Sequence, residues 1–151
     1  MSVGHVCNRE IVVVERGDNL VDVAKLMRKY HVGSVIVVER DGGRARPIGV
    51  VTDRDLVNEI LAPELDHSTV ALEDVMNPSP ITAEEDDDVY DIIEAMRSSD
   101  VWRVPVVDRE GFLVGVLAID DLLWNLSQEL RNIVSLIERQ ASVEAKRQVH
   151  V

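Results

Sequence analysis

Thr52, Arg54 and Asp55 follow an apolar run typical of a strand, and their spacing predicts a phosphate-binding turn where that strand leads into a helix. The first N–H groups of a helix lack partners within the helix and point outward, where they can bind phosphate oxygens. Thr52 can cap the helix or donate its hydroxyl to an oxyanion. Arg54 opposes the helix dipole in the first turn, a conflict that an anionic ligand would remove. The two carboxylate oxygens of Asp55 suit the two hydroxyls of a ribose.

Helix capping competes with this interpretation, because Thr and Asp at a helix start are ordinary caps. Recurrence shifts the balance: Gly49 and Asp55 are matched later in the chain by Gly115 and Asp121. Packing alone does not require Asp at the same step of two helices. A glycine before each motif would let a ligand or the other copy of the motif approach closely. The repeated pattern therefore favours a binding site.

The motif belongs to a longer duplication, from Val12 to Leu56 and again from Ile81 to Leu122. Early positions of the two copies are 69 residues apart and late positions 66, so copy one carries three extra residues. They fall in the Gly/Arg-rich stretch 41–46 between two Val/Ile-rich runs, where a hairpin loop can absorb them. Such a period is typical of supersecondary units that must pack together to bury their apolar faces.

Each copy predicts the order β-α-β-β-α, and its apolar strands interleaved with helices predict an α/β fold with helix-covered sheets. We divide the chain into a first repeat (1–62), an ordered linker (63–79) with a short helix around Leu72 to Met76, a second repeat (80–126) and a helical extension (127–151). An apolar stripe from Leu122 to Ile137 runs along the last helix. It either caps its own domain or mediates self-association, and the sequence does not decide between them.

Composition excludes several classes of function. A formal charge of −12 argues against general nucleic-acid or anionic-membrane binding. Apolar runs such as Ile11–Val14 and Val35–Val38 are far too short to span a membrane. Cys7 is the only cysteine and no secretory leader opens the chain, so we expect a soluble, cytoplasmic protein. The scattered histidines and the absence of a nucleophile–base arrangement predict neither a metal site nor an enzyme.

Spacing, order and motif together resemble a tandem pair of CBS domains, also called a Bateman module. The resemblance covers roughly Ile11 to Leu126 and is carried by the segments Gly49–Asp55, His31–Ser34 and Arg103–Asp108. It implies two repeats packed about a pseudo-twofold axis, with two clefts that commonly bind AMP, ADP, ATP or S-adenosylmethionine. It also implies a homodimer as the default assembly.

The resemblance implies how the clefts are lined. The first would hold the nucleotide through Val50, Thr52, Arg54, Asp55, Thr82, Arg103, Gly33, Ser34 and Trp102. The second would be lined by Val13, Val116, Ala118 and Asp121. Ala118 replaces the Thr there, Val13 stands where the first cleft receives Thr82, and Asp120 takes the place of Arg54. We therefore expect the second cleft to bind weakly, to hold a nucleoside-like group, or to stay empty.

Two hypotheses of function follow. The leading one is a stand-alone regulatory module that senses adenine nucleotides, has no catalytic cofactor and acts on an unknown target protein. The alternative is a structural adaptor with vestigial clefts that acts through dimerisation and its C-terminal helix.

Overall fold

The computed structural model describes residues 1–78 and 80–148 and forms two compact units, one from Met1 to Ala118 and one that begins at Ile119. Ser79 in the predicted linker and residues 149–151 of the predicted extension lie outside the described residues. The first unit contains both sheets. The described part of the second is a single long helix.

Copy one has the predicted β-α-β-β-α order. A short helix α1 (Val3–Val6) precedes it, and its elements are β1 (Val13–Glu15), α2 (Leu20–Tyr30), β2 (Ser34–Asp41), β3 (Arg44–Thr52) and α3 (Asp53–Leu56). A π-helix (Val57–Leu61) continues α3, and a 3-10 turn (His67–Thr69) follows it. Asn19 is the N-cap of α2, where its side chain accepts the Asp22 N–H, and His31 is the C-cap, in the left-handed region.

Copy two repeats the order. Helix α4 (Leu72–Val75) and β4 (Asn77–Pro78) precede it, followed by β5 (Ala83–Glu84), α5 (Val89–Ser99), β6 (Arg103–Val107), β7 (Leu113–Ala118) and α6 (Ile119–Gln148). Asp88 caps α5 by accepting the Tyr90 N–H, and Asp100 ends the helix in the left-handed region. The predicted helix around Leu72 to Met76 is present as α4.

The two sheets share one pattern. Their strand orders are β1-β2-β3-β4 and β5-β6-β7, with the first pair of each parallel and the others antiparallel. Both hairpins have a register shift at the same step, beside the pairs Val37–Gly49 and Val106–Gly115. The predicted α/β fold with two sheets and a long C-terminal helix is confirmed.

Each sheet is completed by the segment that leads into the other copy. The segment before copy two forms α4 and β4, and β4 pairs with β3 of copy one. The segment before copy one forms α1, and Asn8 then bridges Val116 of β7 in copy two. The Asn8 and Val116 backbones exchange two hydrogen bonds of 2.8 and 2.9 Å. The copies are therefore joined by two reciprocal exchanges, as a twofold relation between them requires.

Among the apolar clusters of the described residues, two hold this arrangement. One is the core of copy one, in which Leu72 and Val75 of α4 pack among residues of α2, β2 and β3. The other lies between the copies: Ile36 and Val38 of β2 pack with Val116 of β7. Strand alternation explains the division, because Val35 and Val37 face the core of copy one while Ile36 and Val38 face copy two.

The three extra residues of copy one lengthen its hairpin, as predicted. Gly42 and Gly43 form the turn with φ of 57° and 86°, values that favour glycine. The longer hairpin carries Arg44 and Arg46 to copy two, where both guanidinium groups lie over the Phe112 ring, 3.8 and 3.9 Å from its centroid.

Helix α6 belongs to the second compact unit. It runs for 30 residues, with acidic residues in its first turn and basic residues in its last. Large apolar side chains along it are exposed, at Leu123, Trp124, Leu126, Leu130, Ile133, Val134, Leu136, Ile137 and Val143. Within the described part of the chain, no helix is both long enough and apolar enough to cross a membrane.

Candidate functional site

Two side-chain hydrogen bonds fix the turn between β3 and α3 in the predicted site. Thr52 is the N-cap, and its hydroxyl oxygen accepts the Asp55 N–H at 3.1 Å. Asp55 Oδ2 accepts the Thr52 N–H at 2.9 Å. This reciprocal capping box satisfies two donors that a helix start would otherwise leave without partners. It also fixes both side chains at the end of the strand.

The capping box leaves chemistry for a ligand. Only Oδ2 of Asp55 takes part in it, and the Thr52 hydroxyl uses its oxygen as an acceptor and keeps its proton as a donor. Both residues are half-buried. Capping and ligand binding, the two explanations that the sequence offered for this pair, can therefore operate together.

Gly33 and Ser34 lie beside this turn. Ser34 pairs with Thr52 in the β2–β3 ladder, and the Gly33 carbonyl accepts the Asp53 N–H at 2.9 Å. A Cβ on Gly33 would come within 3.3 Å of Asp53 Oδ2. The structure thus brings four of the predicted residues, Gly33, Ser34, Thr52 and Asp55, into one cluster.

Val50 extends the cluster toward copy two. Val51 is buried in the core of copy one, so Val50 and Thr52 point to the opposite face of the sheet. Val50 lies across the ladder from Ile36, a member of the apolar cluster between the copies. Val50 and Thr52 therefore lie on the face of the sheet that carries the apolar cluster between the copies.

The other residues predicted for the first cleft are less closely tied to this cluster. Arg54 is exposed on α3, and Thr82 is exposed one residue before β5. Trp102 is 70% exposed just before β6, and the half-buried Arg103 begins that strand. Among the described residues, no hydrogen bond links Thr82 or Trp102 to the capping box.

The matching turn of copy two lacks the hydroxyl group that Thr52 provides in copy one. Arg103 pairs with Ala118 as Ser34 pairs with Thr52, but Ala118 has no hydroxyl and is buried. Val13 and Val116 both belong to the apolar cluster between the copies. Asp121 is half-buried on α6, in the second compact unit. The chemistry of this set is more apolar than that of the first.

The role of the two glycines could not be decided from the sequence. A Cβ on Gly49 would lie 2.5 Å from Met76 Sδ and 3.1 Å from the Asn77 carbonyl oxygen. A Cβ on Gly115 would lie 2.9 Å from Cys7 Sγ and 3.2 Å from the Asn8 carbonyl oxygen. Each glycine therefore admits the segment that leads into the other copy.

Sequence reasoning missed these lead segments, although a signal was present. Val6-Cys7-Asn8 and Val75-Met76-Asn77 are 69 residues apart, the same offset as the early part of the repeat. Burial in this position raises the pKa of the Cys7 thiol. The thiol is thus kept protonated and acts as a small packing group.

Acidic residues of copy two gather around one cleft. Residues 84–86 and 108–110 surround a cleft of about 390 Å³, and within the described ranges no group of three or more potential ligands has an arrangement that could hold a metal ion.

Two interlocked β-α-β-β-α copies with a polar turn facing the second copy define a duplicated α/β module. A family model described as the CBS domain matches the chain twice, over residues 3–62 and 72–128. The chain belongs to the CBS-domain family and carries a tandem pair of the domains. Both matches include the lead segments, α1 in the first and α4 in the second.

Similar proteins share most of this chain. An uncharacterized protein of Methanopyrus kandleri, MK0525, is 34% identical over 124 residues, which are 82% of this chain and 61% of the relative, so the chain spans less than two thirds of that protein. The CBS domain protein PAE2072 from Pyrobaculum aerophilum, solved complexed with AMP, is 32% identical with a TM-score of 0.72 over 81% of this chain and 90% of that one. CBSX2, also solved in complex with AMP, is 25% identical with a TM-score of 0.70 over 84% of this chain and 96% of that one.

Proposed function

We propose that this protein is a regulatory, non-enzymatic module that binds an adenine nucleotide, most simply AMP, at the face between its two CBS repeats. The observation that carries the proposal is the Thr52–Asp55 turn, which lies beside Gly33 and Ser34 on the face directed to copy two. The two similar proteins solved with AMP support the choice of ligand.

Different residues bind the ribose, the phosphate and the base of the nucleotide. The Asp55 carboxylate accepts from the ribose hydroxyls, and the Thr52 hydroxyl donates to a phosphate oxygen. Arg54 and Arg103 supply positive charge for the phosphate in a chain whose net charge is −12. The nucleoside lies between Val50 of copy one and Thr82 and Trp102 of copy two. No catalytic cofactor takes part.

Such a ligand would touch both repeats, so its affinity would depend on how they are arranged. A ligand shifts an equilibrium between two arrangements only through its different affinity for them. We take the regulatory output to be this shift, passed to a target protein through a homodimer of the module.

The second cleft is part of the proposal. Without a hydroxyl at Ala118, and with Val13 in an apolar cluster, it offers a phosphate little to bind. We propose one nucleotide of high affinity per chain, with Asp121 leaving at most weak binding of an uncharged nucleoside in the second cleft.

The test is isothermal titration calorimetry of nucleotide-stripped protein with AMP, ATP, NAD and S-adenosylmethionine. We expect one saturable adenosine ligand with a stoichiometry of one per chain. Asp55→Asn keeps an acceptor for the Thr52 N–H, so the fold is retained while ribose binding weakens at least tenfold. Asp66→Asn is the matched control, because Asp66 also caps a helical turn but lies outside the predicted site.

Two results would contradict the proposal. One is equal affinity in Asp55→Asn and Asp66→Asn, with both variants folded by circular dichroism. The other is silence from all four ligands, which would favour the structural adaptor with vestigial clefts; the exposed apolar face of α6 is the observation that motivates this second candidate.

A further inference from the structure

The exposed apolar residues of α6 follow a regular spacing. Leu123, Leu126, Leu130, Ile133 and Ile137 are separated by three, four, three and four residues. These are the a and d positions of a heptad repeat, which place side chains on one narrow stripe. Their exposed fractions lie between 37% and 64%. Val134 and Leu136, which flank the stripe, are exposed as well.

A stripe of this spacing is complementary to a copy of itself. Knobs at a and d fit the holes formed by four residues of a facing helix, so the pattern specifies a partner with the same period. A helix packed on a globular surface shows a similar alternation but has its apolar face covered, whereas this face is exposed along the described part of α6. The occupant that fits best is therefore the same helix of a second copy.

Charge along α6 selects the direction of pairing. Asp120 and Asp121 lie in the first turn, and Lys146 and Arg147 lie in the last described turn. In a parallel pair each of these charges would face the same residue of the other chain, which has the same sign. In an antiparallel pair that crosses between positions 131 and 132, Asp120 and Asp121 of one helix lie opposite positions 143 and 142 of the other, about one turn from its Lys146 and Arg147. The opposite charges are therefore near each other, and the two helix dipoles are also opposed.

We propose that two chains associate through an antiparallel pair of α6 helices centred between Leu130 and Ile133. In this register Leu126 of one chain meets Ile137 of the other, and Leu123 meets Gln140. The proposal rests on the homodimer of the proposed function and is independent of the nucleotide. It adds the surface and the orientation of the dimer.

The first test measures mass in solution by sedimentation velocity. The wild-type chain of 16.9 kDa should sediment as a dimer. Leu130→Glu with Ile133→Glu should shift it to monomer, by at least a tenfold weaker association. Asn132→Glu with Ser135→Glu is the matched control, because it adds the same charge with the same spacing at exposed positions off the stripe and should remain dimeric.

The second test determines orientation by disulfide trapping in a Cys7→Ser background. Leu123→Cys and Gln140→Cys should each remain uncrosslinked alone, because antiparallel pairing separates identical positions by about 25 Å. Mixing the two variants should give a crosslinked heterodimer. Efficient crosslinking of either variant alone would establish parallel pairing and overturn the inference.

The outcomes separate this inference from the nucleotide proposal. A dimer that survives the stripe substitutions uses another surface, which overturns the inference and leaves the homodimer standing. A monomeric wild-type chain overturns both the inference and the homodimer, and assigns the stripe to some other partner. Neither result affects the calorimetric titration.

Discussion

Gly49 and Gly115 have no Cβ, and this leaves room for a segment of the other repeat to pack against each of them. Both are buried, both lie opposite the register shift of their hairpin, and both contact a lead segment from the other copy. Neither has a positive φ, so the requirement is for space and not for backbone conformation. The sequence predicted that something approaches these glycines but could not say whether it was ligand or protein.

We expect Gly115→Ala to destabilise the fold by about 1–3 kcal/mol, because the new methyl group would overlap Cys7 Sγ and crowd the Asn8 carbonyl. Combining it with Cys7→Ala should recover part of the loss by removing the sulfur. Urea denaturation of the two single variants and the double variant measures this coupling. Gly17→Ala is the control, since nothing lies within 4 Å of its added Cβ; a similar loss there would contradict the steric explanation.

The Asp108 carboxylate makes the free energy of unfolding depend on pH. Hydrogen bonds from the Phe112 and Glu110 N–H groups, with the charge of Arg44, hold the pKa of its carboxyl below its ordinary value. A pKa lowered in the folded state stabilises the protein above the ordinary carboxyl range near pH 4, and this contribution is lost as the pH falls through the folded value.

Asp108→Asn should therefore be less stable than wild type at pH 7, and the difference should shrink below about pH 4. Denaturant titrations at both pH values test the sign. A difference that stays constant with pH would show that packing, and not the charge of Asp108, explains the effect.

At the scale of elements, the long hairpin of copy one clamps copy two. Arg44 forms ion pairs with Asp108 and Glu110, and Arg46 Nη1 donates to the Glu110 carbonyl at 2.5 Å. Both guanidinium groups lie on Phe112. The insertion that the sequence treated as a tolerated loop is thus a contact between repeats.

The clamp predicts energetic coupling across the repeats. A double-mutant cycle of Arg46→Ala with Phe112→Leu should give a coupling of about 0.5–1 kcal/mol, typical of a cation over an aromatic ring. The same cycle with Arg40→Ala should give none, since Arg40 pairs with Glu15 inside copy one. Equal coupling for both arginines would mean that the ring contact contributes nothing specific.

Local patterns were sufficient for some elements and not for others. The stripes Leu20–Met27 and Val89–Met96 and the paired Val-rich runs are long enough for periodicity to predict helices and strands. Strand β4 has two residues, one of them Pro78, and exists because β3 of the other copy offers it an edge. In the candidate site, the Thr52–Asp55 turn is local and was predicted, whereas the distance of Thr82 and Trp102 from it depends on packing between copies.

At the scale of the whole molecule, the exchange of lead segments means that damage to one copy should appear in the other. Val3→Ala should speed amide hydrogen exchange in 113–118 of copy two, where Val116 bonds to Asn8, and leave 44–52 protected. Leu72→Ala should do the reverse and cost about 2–5 kcal/mol, because Leu72 packs in the core of copy one. Mass spectrometry of the two segments compares them directly, and an equal rise in both segments for both variants would contradict this prediction.

The same exchange bears on how the tandem arrangement could begin. A chain with a single repeat would carry a lead segment with no edge to join and a final strand with an edge to offer. Two such chains would satisfy each other by swapping leads, so a swapped dimer of single repeats is already a complete version of this architecture. Joining two such repeats in one chain would keep these reciprocal contacts, and each repeat could then differ from the other, as Thr52 differs from Ala118.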